Sequence, residues 1–563
     1  MKKNLPNQLI GKFILAALFS SAPALAQVSI VAVSPTPNLR SVPRASPVSV
    51  QFNSSVNSGS SSAIKVFSNQ RGGQRVSNSG STMVSGSTLS YAPSYDFRPG
   101  ELIQATVTQT VQNNSGGTLL VPYVFQFTAA ASGGTGFYSG GADFVVGSQP
   151  YRVAPADIDG DGDLDLLIAN FAGNSVTVRL NNGAGLFSTS IDYSVGSNPY
   201  TIITADVDGD GDLDFLTPNY GSNSVSLRFN DGNGFFSSGV DFSVGTQPRS
   251  IAAGDVDGDG DLDFVTANYG SNSVSLRINP GNGLYGSGTE FSIGSQPQGI
   301  TLADVDNDGD LDFLASNGAA NTVSIGLNNN NSGLFQIGIT TSVGTFPFAV
   351  ATADIDGDGD VDLLTANYQS TSVSVRINNG NGVFSGGYDV SVGNQPRGLT
   401  TADVDGDGDL DLLTANAGSN SVSLRINNGT GFFSGGADFP VGSFPSSVLT
   451  ADVDGDNDLD LLVTNLMGNT VSVRLNNGTG ILFAVQASLN SNFTLYPNPT
   501  RRDVTVSGLS VGQVVQVYDY LGREVLKLNV PIEGILQVRF PIEFPSGIYL
   551  VRAGNQTRNL IIE

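Results

Sequence analysis

The chain has 563 residues, including 70 Gly and 25 Pro but no Cys, His or Trp, and at about 150 residues per domain it is long enough for several domains. Without Cys or His there is no disulfide framework, no thiol nucleophile, no His general base and no His or Cys zinc site. Fifty acidic residues against 25 basic ones give a formal charge of -25, which opposes nucleic acid and anionic membranes and favours a cation or a basic partner. Charged residues are only 13% of the chain against 39% hydrophobic, so a packed core is feasible and an acidic disordered polymer is not expected.

Residues 1–26 read as a secretory signal peptide: Lys2 and Lys3, an apolar run from Phe13 to Phe19, then Ala24-Leu25-Ala26 as a small-residue cleavage site. No later segment approaches the roughly 20 apolar residues of a membrane-spanning helix. The expectation is an exported protein with no transmembrane span, at the outer-membrane cell surface or secreted.

Residues 28–130 are predicted to form a β module with strands at Val48–Phe52, Gln104–Thr108 and Val124–Thr128. Its opening Val33-Ser-Pro-Thr-Pro37, the Phe97-Arg-Pro-Gly100 segment and Val124-Phe-Gln-Phe-Thr128 resemble the bacterial Ig-like domain of surface-layer and adhesive proteins. That resemblance implies a sandwich held by its hydrophobic core alone, since Cys is absent, and a role in spacing or presenting the segment C-terminal to it.

From residue 134 to 487 the chain repeats itself. Segments of the form D-x-D-[GN]-D-[GN]-D-[LV]-D begin at Asp157, Asp206, Asp255, Asp304, Asp354, Asp403 and Asp452, at intervals of 49, 49, 49, 50, 49 and 49 residues. One supersecondary unit is therefore copied seven times. In the third copy Arg249–Ala253, Asp263–Ala267, Ser273–Ile278 and Thr289–Ile293 alternate as strands, with an Asn/Gly turn between the last two. Four short strands per period is the pattern of a propeller blade. The predicted fold is all-β, a seven-bladed β-propeller between an N-terminal Ig-like sandwich and a small C-terminal β-sandwich.

Arg recurs on the third strand at 179, 228, 277, 376, 425 and 474, and an acid follows thirteen residues later at Asp192, Asp241, Glu290, Asp389 and Asp438. Such pairs are expected to bridge neighbouring strands. The fourth copy lacks both members, having Gly326 and Thr340, while Arg474 has only Ala487 at the expected distance. The acid it needs is Asp143, which lies 49 residues before Asp192. The Phe137–Gly147 segment is thus predicted to be the outer strand of blade seven, latching the ring shut.

Five Asp in each of seven loops account for 35 of the 50 acidic residues, leaving 15 against 25 basic ones. The acidity is concentrated where alternating carboxylates repel one another unless a cation lies among them. Oxygen-only donors on a Gly-rich loop select calcium over transition metals, and flexibility favours it over magnesium. The candidate ligands are Asp157, Asp159, Asp161, Asp163 and Asp165; Asp206, Asp208, Asp210, Asp212 and Asp214; Asp255, Asp257, Asp259, Asp261 and Asp263; and Asp304, Asp306, Asp308, Asp310 and Asp312. The series continues with Asp354, Asp356, Asp358, Asp360 and Asp362; Asp403, Asp405, Asp407, Asp409 and Asp411; and Asp452, Asp454, Asp456, Asp458 and Asp460. By analogy with an EF-hand loop, positions one, three and five offer side chains, position seven its carbonyl, and the ninth Asp closes the site. Asn307 and Asn457 replace Gly, and Asn tolerates the left-handed conformation needed there. This pattern resembles the FG-GAP and VCBS repeats of calcium-loop propellers, also found in integrin α-subunit heads. The resemblance implies about seven structural Ca2+ ions.

The Asp loops and Asn-Gly turns are expected on one face of the propeller. On the other, Pro and Asn recur, and the residues after them vary: Tyr151, Phe171, Tyr200, Tyr220, Arg249, Tyr269, Phe348, Tyr368 and Arg397 among them. Aromatics and Arg anchor protein interfaces and stack on sugar rings, so this face is the candidate ligand surface. Packing between blades explains the same aromatics equally well.

The last segment, residues 490–563, has less Gly and short strands such as Val514–Tyr518 and Ile548–Val551. Leu495-Tyr-Pro-Asn-Pro499, the Val517–Arg523 segment, Ser546-Gly-Ile-Tyr549 and Asn559-Leu-Ile-Ile-Glu563 resemble the C-terminal sorting domain of type IX secretion cargo. The type IX secretion machinery is the implied partner. The whole reads as an exported, calcium-stabilised, non-enzymatic binding protein that meets a surface protein by its variable face. A lectin-like glycan binder is the alternative, and a polysaccharide-active enzyme has least support.

Overall fold

The protein is described from a computed structural model covering residues 27–71, 80–476 apart from Ser238 and Ser287, and most of 494–562. The expected signal peptide lies outside the described residues.

Period-two alternation builds the N-terminal sandwich. Ile30–Ser34, Val48–Phe52, Thr88–Pro93 and Gly80–Ser85 form one sheet, and Ile64–Ser68, Leu102–Val107 and Tyr123–Thr128 the other. Val48, Val50 and Phe52 point inward from a strand whose Gln51 is exposed, and Phe97 meets Phe127 edge to face at 5.7 Å. Strand alternation thus buries the apolar set without a covalent staple.

Between residues 138 and 476 the strands form seven consecutive sheets. In the third, Pro248–Gly254, Asp263–Asn268, Ser273–Arg277 and Thr289–Ser292 pair antiparallel in chain order, at the predicted positions. The second strand is buried along its whole length in every blade, as in Asp263–Asn268. Its apolar residues face both neighbouring blades, so the core is divided into layers between blades. Val176, Val178 and Leu167 of the first blade pack with Leu213 and Phe215 of the second. The layer of Val153 and Leu166 with Val453 and Leu462 closes the circle.

Closure follows the expected latch. Asp143–Val145 pairs with Thr470–Ser472, and Tyr138–Ser139 with Leu475 and Asn476. Arg474 and Asp143 form an ion pair at 2.8 Å. The pairs Arg228–Asp241, Arg277–Glu290, Arg376–Asp389 and Arg425–Asp438 stand at 2.9–3.3 Å. The expected Arg179–Asp192 pair does not form. Arg179 donates instead to the Val145 carbonyl, and Asp192 accepts from Thr177 Oγ1 at 2.5 Å. The reason lies in a second role of these arginines: Arg179, Arg228, Arg277, Arg376 and Arg425 each reach back to the outer strand of the preceding blade. Arg228 donates to the Ser194 carbonyl at 3.1 Å, Arg376 to Ser342 and Arg425 to Ser391, both at 3.0 Å. For blade one that preceding strand is the latch itself. In blade four a Cβ at Gly326 would lie 2.3 Å from the Phe313 ring, so a ring fills the place of the missing Arg.

The C-terminal segment is a second small sandwich. Thr494–Tyr496, Asp503–Ser507 and Ile535–Arg539 form one sheet and Glu524–Asn529, Val514–Tyr518, Gly547–Ala553 and Gln556–Ile562 the other, over a core of Val504, Val517, Val538, Val551 and Leu560.

Candidate metal centres and the opposite face

Each Asp loop joins the first and second strands of a blade. Its Gly residues take left-handed backbone conformations, φ +73° at Gly258 and +98° at Gly260, and Asn307 and Asn457 do so at +62° and +73°. The first Asp gathers the loop's own amides: Asp255 accepts from Gly258 N at 2.8 Å and Gly260 N at 2.9 Å. Asp257 and Asp259 accept from the amides two residues on, at 3.3 and 3.0 Å. The ninth Asp is buried, and both its oxygens hold the frame. Asp263 accepts from Val256 N at 2.9 Å and from Asn279 N at 2.8 Å, each oxygen keeping a second lone pair for a cation.

The residues fit a hard cation. Among the described residues, three carboxylate oxygens lie within 4.8 Å of one another in Asp157, Asp159 and Asp165, in Asp206, Asp208 and Asp210, in Asp255, Asp257 and Asp259, in Asp304, Asp306 and Asp308, and in Asp354, Asp356 and Asp362. Among the described residues, the buried Oδ1 atoms of Asp306 and Asp454 have no hydrogen-bond partner, which is costly for a carboxylate without a counter-charge. Burial, reinforced by neighbouring carboxylates, pushes Asp214 and Asp411 up to about 8 and Asp312 up to about 9. A cation among them would remove that penalty.

One recurring residue of these centres escaped the sequence analysis. The Asn after the third strand, Asn279 in blade three, donates its backbone N–H to Asp263, and its side chain donates to the Val207 carbonyl of the preceding blade's loop at 2.7 Å. Asn230, Asn328, Asn378, Asn427 and Asn476 do the same to their preceding blades, and Asn181 reaches Val453 across the closure at 2.8 Å. Its 49-residue period was the available signal. We predict that Asn279→Ala will destabilise the fold by about 3 kcal/mol, because it leaves buried carbonyls unpaired. Urea unfolding measures this as a lower midpoint at unchanged slope.

The N-terminal sandwich does not hold the propeller at a distance; it sits on the Asp-loop face. Arg40 pairs with Asp409 at 2.9 Å and donates to the Ile355 carbonyl at 3.1 Å. Arg98 lies 3.6 Å from Asp157 and donates to the Gly162 carbonyl, while Arg44 donates to Asn457 Oδ1. The Gln70 carbonyl accepts from Asp157 N at 2.8 Å, and Val124 N donates to the Gly309 carbonyl at 2.8 Å. Phe67 and Val124 enter the apolar layers of the blades. The sandwich's cations thus meet the propeller's carboxylates, and its residues Asn38, Gln70 and Gln126 cover one end of the axial cavity.

Comparison with known proteins agrees with this geometry. The FG-GAP-like repeat family matches residues 157–217, 215–266, 255–315, 354–414 and 403–463, and the FG-GAP repeat family matches 444–483. The chain is an FG-GAP repeat protein. It also carries a bacterial Ig-like domain at 26–129 and a secretion system C-terminal sorting domain at 494–563, which directs export by type IX secretion to the cell surface or medium. No curated protein sequence matches it.

Among solved structures, the BBS1 N-terminal domain, crystallised with ARL6, is 10% identical, with a TM-score of 0.45, over 62% of this chain and 98% of that one. An Agrocybe aegerita lectin described as recognising non-reducing terminal N-acetylglucosamine is 21% identical, with a TM-score of 0.38, over 56% and 86%. PorZ, a surface component of the type IX secretion system of Porphyromonas gingivalis, is 14% identical, with a TM-score of 0.40, over 82% and 69%.

On the opposite face of the FG-GAP propeller, the variable residues converge on the axis. The rings of Tyr151 and Tyr200 lie 4.2 Å apart, Phe171 is 5.0 Å from Tyr151, and Tyr220 is 6.2 Å from Tyr200 and 6.3 Å from Tyr269. Phe348 is 5.8 Å from Tyr368. Arg249 lies over Tyr269 at 3.7 Å, and Arg397 over Phe348 at 4.5 Å and Tyr151 at 5.0 Å. Tyr200 and Arg397 are each only 5% exposed. The other seven are half-buried. Packing and exposure are thus shared within one cluster: its centre plugs the axis and its rim faces outward. A second Asn stitch frames it. Asn223 Oδ1 accepts from Gln247 N and Asn469 Oδ1 from Gln149 N, both at 2.8 Å, joining blade two to blade three and blade seven to blade one.

Proposed function

We propose that this protein is a calcium-stabilised adhesion module, exported to the cell surface or medium, which recognises its ligand through the propeller face opposite the Asp loops. The observation that carries this reading is the seating of the Ig-like domain. It occupies the loop face, so the face left to a partner is the one bearing the Arg and aromatic cluster. In that cluster Arg249 is held over three tyrosine rings, the fixed aromatic and Arg arrangement of binding hot spots.

Calcium in this reading is structural, about one ion per loop. Carboxylates at positions one, three, five and nine and the carbonyl at position seven would hold it, as in Asp157, Asp159, Asp161, Asp165 and the carbonyl of Asp163. Oxygen-only donors on a Gly-rich loop support calcium over magnesium. A binding role is favoured over catalysis because the propeller's acids outside the loops are mainly strand-bracing partners such as Asp241 and Asp438.

On arrayed glycans and matrix proteins, Tyr220→Ala and Tyr269→Ala are expected to weaken binding by about tenfold or more. Bound calcium should stay at the parent's level. Undiminished binding by both variants would reject this face as the recognition surface.

A further inference from the structure

The connecting loops on the two faces of the propeller differ in charge. The segments entering the inner strands, 146–149, 195–198, 244–247, 293–296, 343–346, 392–395 and 441–444, contain no Asp, Glu or Lys. The connections from second to third strands, 171–174, 220–223, 269–272, 318–321, 368–371, 417–420 and 466–469, contain none either. In a chain of net charge -25, the charged side chains at the axial mouth, among the described residues, are arginines. Arg397 and Arg249 have no carboxylate within ion-pair distance among the described residues. Arg397 is buried against ring faces, with its Nη2 3.5 Å from Tyr200 Oη, while Arg249 donates to Gln298 Oε1. The Nε atoms of both are buried and have no hydrogen-bond partner among the described residues. A buried guanidinium with unmet donors is costly unless an acceptor completes it.

We propose that this mouth binds a carboxylate-bearing sugar, its acid group taken by Arg397 and Arg249 and its ring laid against the surrounding tyrosines. The inference rests on the reading of this face as the recognition surface and names the ligand class. A planar guanidinium is matched to a carboxylate by its fork of donors. The rings pin both arginines, so little rotamer freedom is lost on binding. The centre of the site is recessed, with Tyr200 and Arg397 almost wholly buried, which suits the end of a chain better than a flat protein surface. Behind it the axial cavity of about 440 Å³ runs from Tyr151, Tyr200 and Arg397 to Asp354 and Asp403 at the loop end, so carboxylates line only its far side from the mouth. The field of loops without carboxylates around the mouth attracts an anion that the loop face repels.

The test is a titration of the mature, calcium-loaded protein with oligogalacturonate, followed by tyrosine fluorescence, since the chain has no Trp. A neutral galactan oligomer and oligoglutamate are run alongside. The expected result is saturable binding of the uronate alone, weakened by salt and reduced about tenfold or more in Arg397→Gln and Arg249→Gln. Arg397→Lys should keep part of the affinity. Melting temperature and bound calcium check the fold of each variant, and the half-buried Arg249 serves if the Arg397 variant fails to fold. Equal binding of the neutral oligomer, insensitive to either Arg, overturns the anion site and leaves the recognition face standing. Preference for oligoglutamate overturns the sugar class. If no probe binds while the tyrosine variants still lose array binding, this site is wrong and the face is right; if those variants also bind normally, both readings fall.

Discussion

Chelating divalent cations should lower the melting temperature of the mature protein by about 10 °C or more, and calcium should restore it while magnesium does so poorly. A single site filled at 100 times its dissociation constant adds about 2.7 kcal/mol, and three or four such sites exceed the whole net stability of many domains. Metal analysis should find several calcium ions per chain, approaching seven. A melting temperature indifferent to chelation would remove the metal from the account of this protein's charge.

The dependence on pH should reverse between the two states. Without cations, burial holds Asp214, Asp411 and Asp460 up at about 8, above the ordinary 3.8 of the unfolded chain. Folding then takes up protons, so the chelated protein should gain stability as pH falls from about 8 towards 4 and lose it as pH rises through that window. With calcium bound the same carboxylates are held ionised, protons compete with the metal, and stability should fall on acidification. Melting curves with and without chelator at pH 5 and pH 8.5 measure this. The calcium increment should be largest at the alkaline end.

The second large effect is expected from the latch. A chain beginning at Ser132 keeps Asp143–Val145 against Thr470–Ser472 and the Arg474–Asp143 pair. A chain beginning at Gly147 loses both and leaves the third strand of blade seven as an open edge. The shorter chain should lose its single cooperative unfolding transition and aggregate through that edge, whereas the longer one should unfold cooperatively. Scanning calorimetry with light scattering distinguishes them. The ion pair itself contributes little, up to about 1 kcal/mol. The loss comes from unpaired backbone and from exposing the layer of Val471, Val473 and Leu462 against which Phe144 packs.

Much of this architecture was legible in the residues because it is periodic. The 49-residue spacing of the Asp loops gave the blades, the alternation within each gave the strands, and a thirteen-residue spacing carried from Arg228 and Asp241 to Arg474 and Asp143 located the latch. Those relations survive in sequence because each blade repeats one local packing problem. The same comparison misjudged Arg179, since the spacing records the strand pair and not the competing Val145 carbonyl on the neighbouring blade.

What the sequence determined by itself was therefore the repeat, its Asp-rich loops, the ring closure and the composition of the connecting segments on the two faces. Only the tertiary structure decided that the N-terminal sandwich sits on the Asp loops, with Arg40 against Asp409, and that Arg397 crosses the axis to Tyr200. Those contacts join residues about 200 to 370 positions apart, occur once each, and depend on shape and charge matching between surfaces already folded. No period marks such a contact, because its energy lies in two three-dimensional faces and not in either stretch of chain.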